Sequence, residues 1–269
     1  MTNSEQPLRV ESKDGTALAV WTAGGGPPML LIHGSFGDHT AWSVPLQVLR
    51  RRYTTYIMDR RGFGGSEDTA PYSIEREFED VAATIDAVAG LEGEPVIVWG
   101  HSYGANCAMG GAGLSASVRA LILYEPSLGL EYPPGAIDAA EALLEKGDRE
   151  GAVETMLVEV LEMSPEEVQQ LRASPRWPNL VANAHTGPRE CRVEEGWVYE
   201  PGQFASIAAR TVLLSGSESP DALHEATREA AAAIPGAVVE VMEGHGHFAH
   251  RTDPEMVVDI VNDFVEASQ

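Results

Sequence analysis

Gly100-His101-Ser102-Tyr103-Gly104 is the stretch whose residue types and spacing could do chemistry. An apolar run over residues 96–99 stops at Gly100, and small residues follow Gly104, so the stretch reads as a strand, a tight turn with Ser102 at its apex, and a helix. A turn this sharp strains its central residue, and strand and helix can approach only if the neighbours lack side chains, which both glycines provide. Ser102 is therefore a candidate nucleophile. A serine hydroxyl is a poor nucleophile at neutral pH unless a base takes its proton during attack. An imidazole with a pKa of about 7 can take that proton and later return it to the leaving group. The plainer reading is a Ser/Gly turn with no chemistry, which five residues alone do not exclude; the strand before and the helix after favour the first.

The elements that would position Ser102 alternate along most of the chain. Residues 8–12 and 16–22, split by Lys13-Asp14-Gly15, predict a hairpin. After Gly24-Gly25-Gly26-Pro27-Pro28, residues 29–33 form a continuous apolar strand, which implies burial on both faces. A helix over 41–52, a strand over 53–58, a helix over 73–89, a strand over 95–99, a helix over 103–114 and a strand over 118–124 follow. From Ser127 to Ser206 the alternation lapses into helical stretches, 137–146 and 151–162, and segments bearing Pro and Trp. It resumes with a strand over 211–215, a helix over 221–234, a strand over 237–242 and a helix over 254–267. Eight strands separated mostly by helices predict an α/β fold, with right-handed crossovers and a mostly parallel sheet covered on both faces. Residues 127–206 follow the sixth strand at the edge where open α/β sheets bind ligands, and read as a lid on a core of 1–126 and 207–269; an extra helical layer is the alternative.

At 269 residues the chain can hold one domain with an insertion, and 43% apolar residues is ordinary for a globular protein. Acidic residues outnumber basic ones 41 to 18, for a net charge of -23, which repels phosphate backbones and anionic lipid surfaces. Nucleic acid and membrane are thus poor partners, and a small-molecule substrate is the one expected. Residues 1–7 show no basic start leading to an apolar run, and no segment reaches the ~20 apolar residues of a membrane helix. Cys107 and Cys191 are far apart and without ligand spacing, so free thiols and a cytoplasmic location are the expectation. Oligomeric state is not legible.

Four motifs stand in order: His33-Gly34-Ser35-Phe36-Gly37, Asp59-Arg60-Arg61-Gly62-Phe63-Gly64-Gly65-Ser66, Gly100-His101-Ser102-Tyr103-Gly104, and Gly244-His245-Gly246-His247-Phe248. Each is short and common; together they make the chain resemble the α/β-hydrolase fold over essentially its whole length apart from the insertion. The resemblance implies a cofactor-free enzyme with Ser102 as nucleophile and His247, after Gly-x-Gly behind the last strand, as base. It also implies an oxyanion hole formed by the N–H of Tyr103 and an N–H of the loop after Gly34, that of Ser35 first and of Phe36 second. The acid is the point of departure. Most members carry it three residues after a glycine that ends the seventh strand, where this chain has Ser219 after Gly216. Glu218 is a residue early, and Asp221 lies beyond Pro220 at a helix start where Asp is routine. Some members carry the acid one strand earlier, and there stands Glu125, at the tip of an apolar strand where a carboxylate needs a partner. Glu125 is the first assignment, with Asp221 and Glu218 as alternatives.

His245-Gly246-His247-Phe248-Ala249-His250 superficially resembles a metal site, but the metallohydrolase pattern wants an acidic residue where Ala249 stands, so no metal is expected. His245 and His250 then read as loop or surface residues, and His33 and His101 as shaping their turns. Arg60 and Arg61 read as structural. Phe36 and Trp42, near the oxyanion loop, and Trp177 and Trp197, in the insertion, are candidate pocket residues, with packing an equal account of the last two. Together these features imply a serine hydrolase of a carboxylic ester or lactone acting through an acyl-enzyme. Carbon–carbon bond hydrolysis or another serine-dependent reaction of the fold, and a small-molecule receptor without turnover, are the alternatives.

Overall fold

Short apolar runs without alternation become the centre of the sheet. The computed structural model describes residues 6–267, so the reading made on residues 1–5 and the last two residues of the predicted core lie outside the described residues. The strands are β1 (Leu8–Glu11), β2 (Ala17–Gly24), β3 (Pro28–Ile32), β4 (Thr54–Met58), β5 (Val96–His101), β6 (Val118–Tyr124), β7 (Arg210–Gly216) and β8 (Val238–Met242). They form one eight-stranded sheet in the order β1-β2-β4-β3-β5-β6-β7-β8, antiparallel for the first two pairings and parallel thereafter. Every residue of β3 and β5 is buried, as continuous apolar strands require. β8 is the exposed edge.

One face of the sheet buries Met29, Leu31, Ile97, Trp99 and Ile122 against Val257, Val258, Val261 and Val265 of the helix Pro254–Glu266. The helix Ile74–Glu92 packs on Tyr103–Leu114 at two glycines. A Cβ at Gly110 would lie 2.0 Å from the Phe78 ring, and one at Gly111 would lie 2.4 Å from Val81, so no larger residue fits this contact. The predicted helix over 41–52 is broken instead into a 3-10 turn, His39–Trp42, and a short helix, Leu46–Leu49. Pro45 between them has no N–H to give and its ring blocks helix continuation from the preceding turn.

The chain divides into two compact units. The first comprises the residues up to Gly34, Asp38–Ser127 and those from Tyr199 onward; the second comprises Ser35–Gly37 and Leu128–Val198. Residues 199–206, read from sequence as part of the insertion, fall with the first unit: Ser206 Oγ donates to the Gly113 carbonyl at 2.9 Å, and the Phe204 ring packs on Phe78. In the second unit, the helices Pro165–Arg172, Trp177–Ala182 and Thr186–Gly196 were not read from sequence. The first of them carries a capping box, Ser164 to Glu167, with Pro165 at its first position. The helix expected over 151–162 starts at Arg149, ends at Thr155 and passes into a π-turn, Met156–Val160. Among the described residues no helix is long and apolar enough to cross a membrane.

The Gly-rich turn after β4 is held by buried ion pairs. Arg60 and Arg61 are both fully buried; Arg60 reaches Glu77 at 2.8 Å, and Arg61 forks onto the two oxygens of Asp80 at 2.6 Å each and onto Asp14 at 3.0 Å. Removing one partner of such a pair strands an interior charge, which costs about 3–5 kcal/mol. Arg61→Met is expected to lose that much in urea denaturation. Arg192→Ala, which breaks exposed pairs with Asp138, Glu141 and Glu195, is expected to lose only about 1 kcal/mol. Equal losses in the two variants would show that the Arg61 pairs are not interior contacts of consequence.

Candidate active site

Ser102 stands between the last residue of β5 and the helix Tyr103–Leu114 with φ 56° and ψ -128°, a conformation strained for any residue with a side chain. The surrounding backbone imposes it. The Ser102 N–H donates to the Tyr124 carbonyl at 2.8 Å, and its carbonyl accepts from the Ala105 N–H at 2.8 Å. A Cβ at Gly100 would lie 2.4 Å from the Gly104 carbonyl oxygen, and one at Gly104 would lie 2.4 Å from both the Ile32 and His33 carbonyls. Gly34 faces the serine as closely, since a Cβ there would lie 2.9 Å from that of Ser102. Tyr103 opens the helix, so its N–H belongs to the first turn, whose amides have no intrahelical acceptor and carry the positive end of the helix dipole.

Glu125 follows β6 with φ 44° and is fully buried. Its N–H donates to the Leu214 carbonyl at 3.0 Å, Oε1 accepts from the Gly216 N–H at 2.7 Å, and Oε2 lies 2.5 Å from His247 Nδ1. Because a carboxylate only accepts, Nδ1 carries the hydrogen, and in the neutral ring the lone pair is on Nε2. His247 is partly exposed. The other two carboxylates are not brought to it: Asp221 is fully exposed, with His224 Nδ1 at 4.0 Å, and Glu218 lies on the surface. Gly216 received no role from the sequence beyond marking the family's usual place for the acid. Its amide was findable from strand register, because Tyr124 pairs with Leu214 and residues just past both strand ends must meet.

Ser35 and Phe36 group with the second unit, where Phe36, at φ 56°, packs against Gly187 and lines a small cleft with Asn179, Leu180, Asn183 and Thr186. Two aromatic pocket assignments are corrected. Trp42 is 1% exposed in the sheet core, edge-to-face on Trp99, and Trp177 sits in an apolar cluster with Val153, Leu157, Val168 and Leu180. Trp197 is half-buried just past the helix Thr186–Gly196.

A further correction concerns His250, which is not a surface residue but 2% exposed, its ring 4.3 Å from that of His101 and 5.5 Å from Trp42. Burial, then the neighbouring His247 and Arg251, pushes its pKa down to about 3. Burial, then Arg60, pushes His33 down to about 4; its Nε2 accepts from the Arg60 N–H at 3.1 Å, so Nδ1–H donates to the Gly34 carbonyl at 2.8 Å. Burial, then His250 and His247, holds His101 well below the ordinary imidazole range.

Residues 29–260 match the model of the alpha/beta hydrolase family, and the chain belongs to that family. An alpha/beta hydrolase from Sphaerobacter thermophilus is similar at 32% identity, over 96% of this chain and 99% of that one, with a TM-score of 0.80. A thermophilic esterase from Thermogutta terrifontis shares the fold at 22% identity, over 98% of this chain and 99% of that one, with a TM-score of 0.73. The 2-(acetamidomethylene)succinate hydrolase of Mesorhizobium japonicum is 26% identical, over 93% of this chain and 92% of its own length.

The buried histidines dictate an acid limb of stability. Their folded pKa values lie below the unfolded value of about 6.5, so the unfolded chain gains protons first as pH falls. The stability they contribute is complete above pH of about 6.5 and is lost on the way down to 4 for His33 and 3 for His250, at up to about 1.4 kcal/mol per pH unit for each. Urea midpoints are expected to fall between pH 6.5 and 5 in the parent protein and to fall less steeply in His250→Leu, whatever its stability at pH 7. Identical slopes would show that His250 titrates alike in both states.

Proposed function

We propose that this protein is a serine hydrolase that cleaves a carboxylic ester or lactone through an acyl-enzyme. The observation that carries the reading is the 2.5 Å contact between buried Glu125 and His247 Nδ1, in a protein whose Ser102 occupies a strained strand-to-helix turn. Ser102 Oγ attacks the acyl carbon while His247 Nε2 takes its proton, and Glu125 stabilises the imidazolium that forms. The carbonyl oxygen becomes an oxyanion that accepts from the Tyr103 amide and from an amide of the loop after Gly34, assigned on sequence to Ser35 first and Phe36 second. The tetrahedral adduct collapses, the ester bond breaks, and the imidazolium hands its proton to the leaving alkoxide. Water then attacks the acyl-enzyme with His247 again as base, which releases the acid and restores Ser102. In a lactone the leaving alkoxide stays tethered, and the same steps open the ring. Residues 128–198 are assigned the role of lid, where specificity would reside.

The Mesorhizobium japonicum relative favours a second reading, serine-dependent hydrolysis of a bond other than an ester, since its named substrate carries an amide and carboxylates but no ester. Turnover of short p-nitrophenyl esters separates the readings. Steady hydrolysis is expected in the parent protein, with kcat lowered at least about a thousandfold in Ser102→Ala and about a thousand- to ten-thousandfold in Glu125→Gln, and unchanged in Asp221→Asn. A fluorophosphonate probe is expected to leave its mass on Ser102. No adduct there would remove the nucleophile assignment. Full activity in Glu125→Gln with loss in Asp221→Asn would move the acid. Ligand-dependent stabilisation with no turnover of any ester would favour a receptor.

A further inference from the structure

We propose that His101 and Tyr124 are positioning residues for the base: their side chains grip the backbone on both sides of His247 and so set where its imidazole points. The proposal rests on reading His247 as the base. That residue lies in a stretch between β8 and the short helix Ala249–Thr252 where backbone bonds hold its neighbours: the His245 carbonyl accepts from the Glu218 N–H at 2.9 Å and the Gly246 carbonyl from the Ala249 N–H at 3.1 Å. Irregular backbone of this kind takes its remaining partners from side chains.

Side chains from β5 and β6 add three bonds beside His247. The Gly246 carbonyl accepts from the Tyr124 hydroxyl, the His247 carbonyl accepts from His101 Nε2–H at 2.8 Å, and the Ala249 N–H donates back to the Tyr124 oxygen at 3.0 Å. Tyr124 thus spans the histidine, bonding the residue before it and the second residue after it, with both capacities of one hydroxyl in use. The His101 ring also lies 4.5 Å from the His247 ring, centroid to centroid, and both His101 and Tyr124 are buried.

The two donors are register partners. His101 ends β5 and Tyr124 ends β6, opposite one another in the parallel ladder, and each is followed directly by a residue assigned to the reaction, Ser102 and Glu125. At each strand end, one residue faces the chemistry and its neighbour holds the loop that delivers the base. Packing alone does not call for this pattern, because a phenylalanine at 124 and a leucine at 101 would fill the same space without gripping any carbonyl. The burial that keeps His101 neutral also fits the role: it leaves one N–H for the carbonyl and sets no second cation beside the imidazolium formed on His247.

The test uses Tyr124→Phe, His101→Leu and His101→Gln, whose amide N–H keeps a donor at a similar reach. A base displaced by about 1 Å costs up to about a hundredfold, so kcat on short p-nitrophenyl esters is expected to fall ten- to a hundredfold in Tyr124→Phe and His101→Leu, with KM within about twofold. His101→Gln is expected to recover most of the loss. A readout independent of turnover is the His247 Nδ1 proton shared with Glu125, seen by proton NMR as a far-downfield signal: retained in the parent and His101→Gln, broadened or lost in the other two. Unchanged kcat and signal in Tyr124→Phe, or no difference between His101→Leu and His101→Gln, overturns the proposal. If Ser102 takes up no fluorophosphonate while the signal still separates Tyr124→Phe from the parent, the serine-hydrolase reading falls and the positioning role stands.

Discussion

A fully buried carboxylate is the constraint to which the site answers. Removed from water, Glu125 must have its charge met by fixed donors, and it has two: the Gly216 amide at the end of β7 and His247 Nδ1 in the stretch after β8. One side chain therefore ties together the ends of three strands. β6 must deliver it, β7 must end level with it, and the chain leaving β8 must turn back over it. A slip of one residue in the β6–β7 pairing would move the Gly216 amide away from Oε1 and leave the charge half-met.

Two residues at adjacent strand ends share an unusual backbone. Ser102 and Glu125 both have positive φ without being glycine, and each donates its N–H to the carbonyl of the neighbouring strand, Tyr124 and Leu214 in turn. The ladder thus extends one bond beyond each strand while the chain is already leaving the sheet. Strain of this kind persists only where surrounding bonds over-determine it. Here they do, helped at Ser102 by glycines at 34, 100 and 104, where any side chain would collide with backbone or with the serine itself.

The parts of the fold set by local pattern were legible. The helix Tyr103–Leu114 and the strand Val118–Tyr124 begin and end where the sequence places them, because Gly100, Gly104 and the apolar run punctuate that region sharply. What depends on tertiary burial was not. Sequence places Glu125 ahead of Asp221 and Glu218 because it stands at the tip of an apolar strand, but only the fold shows that Glu125 is enclosed at His247 while the other two face water. His250 reads as a loop histidine until the chain folds it under His101. Trp42 and Trp177 show the same limit, since an aromatic ring suits a pocket and a core equally until its neighbours are known. In the second unit Trp177-Pro178 and Gly187-Pro188 sit in the first turns of helices, where proline is tolerated, whereas the sequence pattern there shows only segments bearing Pro and Trp.

The two units of the chain are built on separate apolar clusters. Ser102, Glu125 and His247 all belong to the first unit, and their geometry follows from strand register, which the apolar core of the sheet enforces. The unit Leu128–Val198 has apolar clusters of its own, one around Val153, Leu157 and Leu180 and another around Ile137, Ala140 and Met156, both joined by Phe36. Substitutions that keep those clusters can change the rest of that unit's surface without disturbing the bonds that hold Glu125 to His247. The two units therefore rest on different constraints, strand register in the first and side-chain packing among short helices in the second.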